Sequence, residues 1–129
     1  MKDAAIGAGG GGTHGTTGRP NPDVAVFALL YERGPAWIEG RDVPEQPGIA
    51  EHRQYLGEHS AQIVANGPLV FESADSVVGL LVLQAGALAE AERFITEDPG
   101  VRSRVFRATA RRWRLNRFRA LEVAAPIQR

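Results

Sequence analysis

Cysteine is absent from the 129-residue chain. Disulfides, thiolate nucleophiles and every zinc or iron–sulfur site built on sulfur ligands are thereby excluded. Net charge is absent too: 15 basic and 15 acidic residues cancel. That balance argues against a protein that grips nucleic acid over its whole surface and leaves only local patches to consider. No apolar run is long enough to cross a bilayer, because the uncharged stretch Ser76–Ala89 falls short of the about 20 residues a spanning helix needs. Met1 to Ile6 carries Lys2 with no apolar core behind it, so no secretory signal is expected. What remains is a soluble, cytoplasmic, single-domain class. With 43% apolar and 23% charged residues, a chain of this length buries roughly two-thirds of its unfolded surface.

Glycine is present but crowded to one end. Gly7, Gly9, Gly10, Gly11, Gly12, Gly15 and Gly18 all precede Arg19, in a stretch whose only bulky apolar residues are Met1 and Ile6. Such a segment buries too little surface to offset its backbone entropy, so residues 1–22 are expected to form a flexible tail. Gly7-Ala8-Gly9-Gly10-Gly11-Gly12 matches the dinucleotide fingerprint G-x-G-x-x-G in letters only. The fingerprint works where a strand precedes it and a helix follows, and neither flank here reads that way. His14 reads as a solvated tail residue.

Order is expected from residue 23. Val24–Tyr31 is a continuous apolar run of strand length, as in a strand covered on both faces. Glu32–Pro47 carries Gly34, Pro35, Gly40, Pro44 and Pro47 and reads as a long loop of functional length, anchored by Trp37 and Ile38. From Gly48 to Ile63 the period changes: Ile49, His52, Leu56, His59 and Ile63 recur at three- and four-residue steps, one stripe of a helix. Ile63-Val64-Ala65 reads as a short strand ended by a turn at Asn66-Gly67-Pro68, and Leu69-Val70-Phe71 leads into a tight connection at Ser73-Ala74-Asp75. Ser76–Gln84 is a second buried strand. Ala87–Glu97 is a helix with Leu88, Ala91, Phe94 and Ile95 on its apolar face, stopped by Asp98-Pro99-Gly100. Val105–Leu115 alternates: Phe106, Ala108 and Ala110 point one way, Arg107, Thr109, Arg111 and Trp113 the other. The order β-α-β-β-α-β is the split pattern of ferredoxin-like α+β folds. Right-handed crossovers put both helices on one face of a four-stranded antiparallel sheet, and a bare apolar second face is expected to meet another subunit or enclose a ligand.

The strand Phe27-Ala28-Leu29-Leu30, the helix motif His52-Arg53-Gln54-Tyr55-Leu56, Gly67-Pro68-Leu69, the strand Gly79–Leu83 and Glu97-Asp98-Pro99 before a last strand ending near Trp113 together resemble the YciI-like (YCII-related) family of the dimeric α/β-barrel superfamily. The likeness covers roughly residues 24–115 and leaves the tail and a basic C-terminal extension, residues 116–129, outside it. It implies a ferredoxin-like protomer paired as a homodimer around a cavity. It also implies an active-site His and Asp, which map onto His52 and Asp98, and ring-compound chemistry by elimination or isomerisation. The fold alone does not decide among reactions.

The residues carry their own readings. His52 shares a stripe with Ile49 and Leu56, so it is either a hydrogen-bonded core histidine or a general base whose tautomer a carboxylate fixes. Asp98 before Pro99 has the pattern of a helix N-cap, a role compatible with orienting His52. His59 lies about 10 Å along the helix from His52, too far to share a metal ion, and no metal site is expected. Eight arginines, at 102, 104, 107, 111, 112, 114, 117 and 119, stand with no acid between Pro99 and Leu121. Three readings exist for them: a charged edge strand and solvated tail, a pair Arg107 and Arg111 holding an anionic substrate, or a nucleic-acid surface. Neutral net charge and fold disfavour the last. Tyr31, Ser73 and Ser76 offer hydroxyls to a site.

These readings lead to a small enzyme with no cofactor, of lyase or isomerase type, in which His52 oriented by Asp98 moves a proton on a ring-type or enolisable small molecule. The Glu32–Pro47 loop would serve as its lid, and Arg107, Arg111, Tyr31 and Ser76 would contact the substrate. The alternative is a non-catalytic homodimer that binds a small molecule or accompanies another enzyme.

Overall fold

A computed structural model describes residues 17–18, 25–72 and 74–121. Most of the expected tail (including His14), Ser73 and the last eight residues of the basic extension lie outside the described residues. In chain order the elements are β1 (Thr17–Gly18), β2 (Ala25–Arg33), α1 (Ile49–Glu58), β3 (Ile63–Pro68), β4 (Val77–Ala85), α2 (Leu88–Thr96), α3 (Pro99–Arg102), β5 (Phe106–Trp113) and β6 (Phe118–Arg119). Single 3-10 turns stand at Val43–Glu45 and Ser60–Gln62. No helix among the described residues is long and apolar enough to cross a membrane.

The chain divides into two compact units, Ala25–Trp113 and the two ends. In the described part of the end unit, β1 pairs antiparallel with β6, Thr17 opposite Arg119 and Gly18 opposite Phe118. Two residues of the segment expected to be a tail thus lie in a strand pairing.

In the larger unit β2, β3, β4 and β5 form one sheet in the order β3-β4-β2-β5, with every neighbouring pair antiparallel. That is the ferredoxin-like α+β arrangement. The first crossover places β3 at the edge rather than beside β2, and β5 returns to the other side of β2. The apolar run of β2 makes it central: Phe27, Leu29 and Tyr31 bury their side chains with Leu81 and Leu83 of β4 beneath Ile49 and Tyr55 of α1 and Ala91, Phe94 and Ile95 of α2. Full burial of a leucine or phenylalanine side chain contributes about 1.5–3 kcal/mol, so this one-sided core holds both helices to a single face. Among the described residues no helix covers the other face.

Several local expectations change. The stripe from Ile49 to Ile63 does not run as one helix: α1 stops at Glu58, His59 caps it, and Ser60–Gln62 is a tighter turn. Tyr55, not on the expected stripe, is the second buried residue of α1, and its hydroxyl donates to the Phe94 carbonyl at 2.7 Å, tying α1 to α2. Asn66-Gly67-Pro68 is not a turn but the end of β3, with Gly67 opposite Leu80 and Pro68 opposite Gly79. Proline lacks an N–H, which an edge strand tolerates. Leu88 is half exposed, leaving Ala91, Phe94 and Ile95 as the buried face of α2. In the loop after β2, Trp37 is buried but the Ile38 side chain is exposed. The anchor there is Gln46: its Oε1 accepts from Ile38 N at 2.8 Å, and its Nε2 donates to Ile38 O and Arg41 O at 2.9 Å each.

Candidate active site

Helix α1 starts at Gly48, whose φ of 80° lies in the left-handed region where a β-carbon is disfavoured. From that start Ile49, His52 and Leu56 fall on one side of the helix and line a common cavity. Asp98 sits at the junction of α2 and α3 and is fully buried. It is the N-cap of α3: Pro99 takes the first helical position, and Gly100 N donates to Asp98 Oδ1 at 2.8 Å. Tyr31 comes from the central strand, 67 positions earlier in the chain, and its hydroxyl donates to Asp98 Oδ2 at 3.0 Å.

His52 completes the cluster. Its Nδ1 lies 2.9 Å from Asp98 Oδ1 and 3.0 Å from Oδ2. An ionised carboxylate only accepts, so Nδ1 carries the proton and Nε2 is left with its lone pair. A buried carboxylate is costly unless hydrogen-bonded, and three donors meet that need here. The arrangement sets the tautomer, and it steadies an imidazolium should Nε2 take a proton. Aromatic rings fix the plane of the imidazole: its centroid is 5.2 Å from that of Phe106 and 5.6 Å from that of Tyr31, and the latter two are 5.5 Å apart, edge to face.

Burial, then the charge of Asp98 and the hydrogen bond to it, raise the Tyr31 phenol far above its ordinary value, so Tyr31 stays a neutral donor at physiological pH. Burial, followed by the charges of Asp98 and Glu97, pushes Tyr55 up to about 12.

The His52 side chain keeps 12% of its surface exposed, on a cavity of about 120 Å³. Apolar walls come from Val43, Pro44, Ile49, Leu56, Val78, Leu81 and Phe106; Arg53, Asn66 and the backbone of Gly67 and Gly79 supply polarity. The cavity is open to one side, and its space is of the same order as the roughly 150 Å³ apolar cavity that holds benzene. The cavity lies on the helix side of the sheet.

Of the residues singled out from sequence, His52, Asp98 and Tyr31 come together. Tyr31 lines the same cavity, is only 4% exposed, and gives its hydroxyl to Asp98. Ser76 is exposed ahead of β4 and does not line the cavity. Arg107 and Arg111 do not reach it either: Phe106 points toward His52, and the period of two along β5 sends both arginines to the opposite face. There Arg107 stands opposite Glu32, 3.9 Å from its carboxylate, and Arg111 opposite Ala28. His59 is remote from the cavity; its Nδ1 meets Tyr55 O at 2.8 Å and its ring packs on Tyr55 and Phe94. Four contributors were not visible as site residues beforehand: Gln46, which holds the loop bearing Val43 and Pro44, Arg53, Asn66 and Gly100. The His52-Arg53 adjacency was the one available signal for Arg53.

No family model matches the chain, and no curated protein matches it. Among solved structures the chain is similar to the 5-chloro-2-hydroxyhydroquinone dehydrochlorinase TftG of Burkholderia phenoliruptrix AC1100, solved in complex with 2,5-dihydroxybenzoquinone. The TM-score is 0.51 and the identity 22%, over 68% of this chain and 92% of that one. The likeness is one of fold.

Proposed function

We propose that the His52 cavity is the active site of a small-molecule lyase or isomerase of the YciI-like kind, acting on a ring-type or enolisable compound. His52 Nε2 takes a proton from an acidic O–H or C–H of the substrate, while Asp98 steadies the imidazolium from the other nitrogen. In an isomerisation the proton returns at a different atom. In an elimination the electron pair released by deprotonation becomes a new double bond, a leaving anion departs, and His52 passes the proton to solvent. The observation that carries this reading is the fully buried Asp98 carboxylate, which accepts from Tyr31, Gly100 and His52 and leaves Nε2 as the lone-pair nitrogen of an imidazole on a ring-sized cavity. A core histidine with no chemistry to do would have no need of such an opening. The fold likeness to a dehydrochlorinase of a chlorinated hydroquinone supports ring chemistry as the first class to try. The protein acts as a homodimer in this reading, paired over the sheet face that carries Ala28, Leu30 and Leu80, and light scattering on the purified chain tests that part.

The activity test uses chlorinated and unchlorinated hydroxyhydroquinones in deuterated water, with chloride release and ring-proton exchange followed by NMR. The wild-type chain is expected to accelerate one or both. His52→Gln and Asp98→Asn are expected to lose about 100-fold or more, the usual range for a positioned acid–base group. Saturable binding with no exchange in any of these compounds would overturn catalysis and leave the binding or accessory protein in its place.

A further inference from the structure

We infer that Arg53 selects the substrate at the His52 cavity, and that the ligand class is a single six-membered ring bearing an anionic group. This rests on the functional reading above but adds the charge and the residue that recognises it. The argument begins in the sequence of α1. Arg53 has Ile49 and Ala50 on one side, and Leu56 and Gly57 on the other, at the three- and four-residue spacings where helix side chains meet. No carboxylate occupies any of those positions, although Glu51 and Glu58 stand in the same helix. Among the described residues Arg53 makes no hydrogen bond or ion pair.

Its position gives that cation a use. Arg53 is exposed and lines two adjoining hollows, the His52 cavity and a wider one of about 390 Å³ bounded by Ile63, Val64 and Asn66. The inner space is ring-sized and its walls are chiefly apolar, so a ring seated against Phe106 and Leu81 directs any larger substituent outward, past Arg53. Asp98 is sealed behind His52, and no carboxylate lines either hollow. A neutral or cationic substituent would leave the guanidinium with water alone, whereas a carboxylate or phenolate gains charge-assisted hydrogen bonds from its planar fork. The same cation lines the cavity onto which His52 opens, and a cation there offsets negative charge that grows if His52 removes a proton from the ring. Arg107 and Arg111, on the far side of the sheet, cannot take this part.

The experiment titrates the full-length chain with benzoate and with benzamide, a neutral compound of the same shape, and reads the imidazole resonances of His52. The chain has only three histidines, and His52→Gln assigns the signal. Benzoate is expected to bind tighter than benzamide. Arg53→Gln should weaken benzoate by about tenfold, the scale of one lost charge-assisted contact, and leave benzamide unmoved, with Arg53→Lys recovering part of the loss. Equal affinities for the two compounds in the wild-type chain, or equal weakening of both in Arg53→Gln, would overturn the inference. If benzamide shifts His52 and benzoate does not, the charge assignment falls while the ring-binding cavity stands. If neither compound moves the His52 signals, the cavity and the functional reading fall together.

Discussion

Gly100 stands so close to His52 that a β-carbon at position 100 would lie 3.0 Å from the imidazole Nδ1 and 2.9 Å from Phe106 Cδ2. The first turn of α3 therefore fits against the ring only because residue 100 has no side chain, and the same residue donates its N–H to Asp98. One short segment, Asp98-Pro99-Gly100, supplies the carboxylate, the turn that caps it and the clearance for the histidine.

Gly100→Ala is accordingly expected to harm the site more than the fold. Overpacking of this kind costs about 1–3 kcal/mol, which thermal unfolding will measure. The added methyl displaces the imidazole from Asp98, and misplacing a reacting group by about 1 Å can cost 100-fold in rate. Proton exchange in a reactive compound should fall by at least tenfold in a chain that still folds. Gly57→Ala is the contrasting variant: nothing lies within 4 Å of its β-carbon position, and a helix-interior glycine replaced by alanine gains up to about 1 kcal/mol. If Gly100→Ala retains full exchange activity, the close packing on His52 has no bearing on the site.

The loop wall depends on Gln46 in a different way. Its amide satisfies Ile38 N, Ile38 O and Arg41 O from a position that is 3% exposed, and the loop it closes carries Val43 and Pro44. Gln46→Ala leaves buried partners unmet, at about 1–3 kcal/mol for a group so stranded. Gln46→Glu removes both donors and sets a negative charge against two carbonyls, so it should be worse. The expected signature is faster amide exchange at Ile38 and a KM raised more than kcat is lowered, because His52 and Asp98 are untouched. A lowered kcat with unchanged KM would show that the loop acts on the chemistry and not on binding.

The uneven legibility of the chain has physical causes. The alternation of β5 and the apolar runs of β2 and β4 made the sheet readable, because period two and continuous burial leave marks in composition. His52 stood on a helical stripe and Asp98 in an Asp-Pro cap, and it was the resemblance to the YciI-like family that joined the two as a site. The hydrogen bonds from His52 and from Tyr31 to Asp98 span 46 and 67 positions, a relationship that exists only once β2, α1 and α3 are packed. Tyr55 was missed because its polar tip reaches a backbone carbonyl of another helix, and Gln46 because nothing local distinguishes a buried amide from a solvated one. Arg107 and Arg111 lie, as expected, on the face of β5 opposite Phe106, which is not the face of the His52 cavity.

Alkaline pH offers a last test of the buried network. Both tyrosines of the chain have phenols raised in the folded state, Tyr55 to about 12 and Tyr31 further, while in the unfolded chain each titrates near about 10. Below about pH 10 both states hold their phenolic protons and the stability is fully present. Above that value the unfolded chain releases protons that the native chain keeps, so stability declines, by up to about 1.4 kcal/mol per pH unit for each tyrosine. The decline from Tyr55 ends as pH passes about 12, and that from Tyr31 continues beyond it. Below about pH 12, tyrosinate absorbance should therefore appear together with unfolding, and not before it. Tyr31→Phe should flatten the alkaline decline by about half while lowering stability at neutral pH, since Asp98 loses one of its three donors. Tyrosinate appearing near pH 10 in a chain whose circular dichroism is unchanged would mean that Tyr31 is not sealed against Asp98, and the tautomer argument for His52 would lose its support.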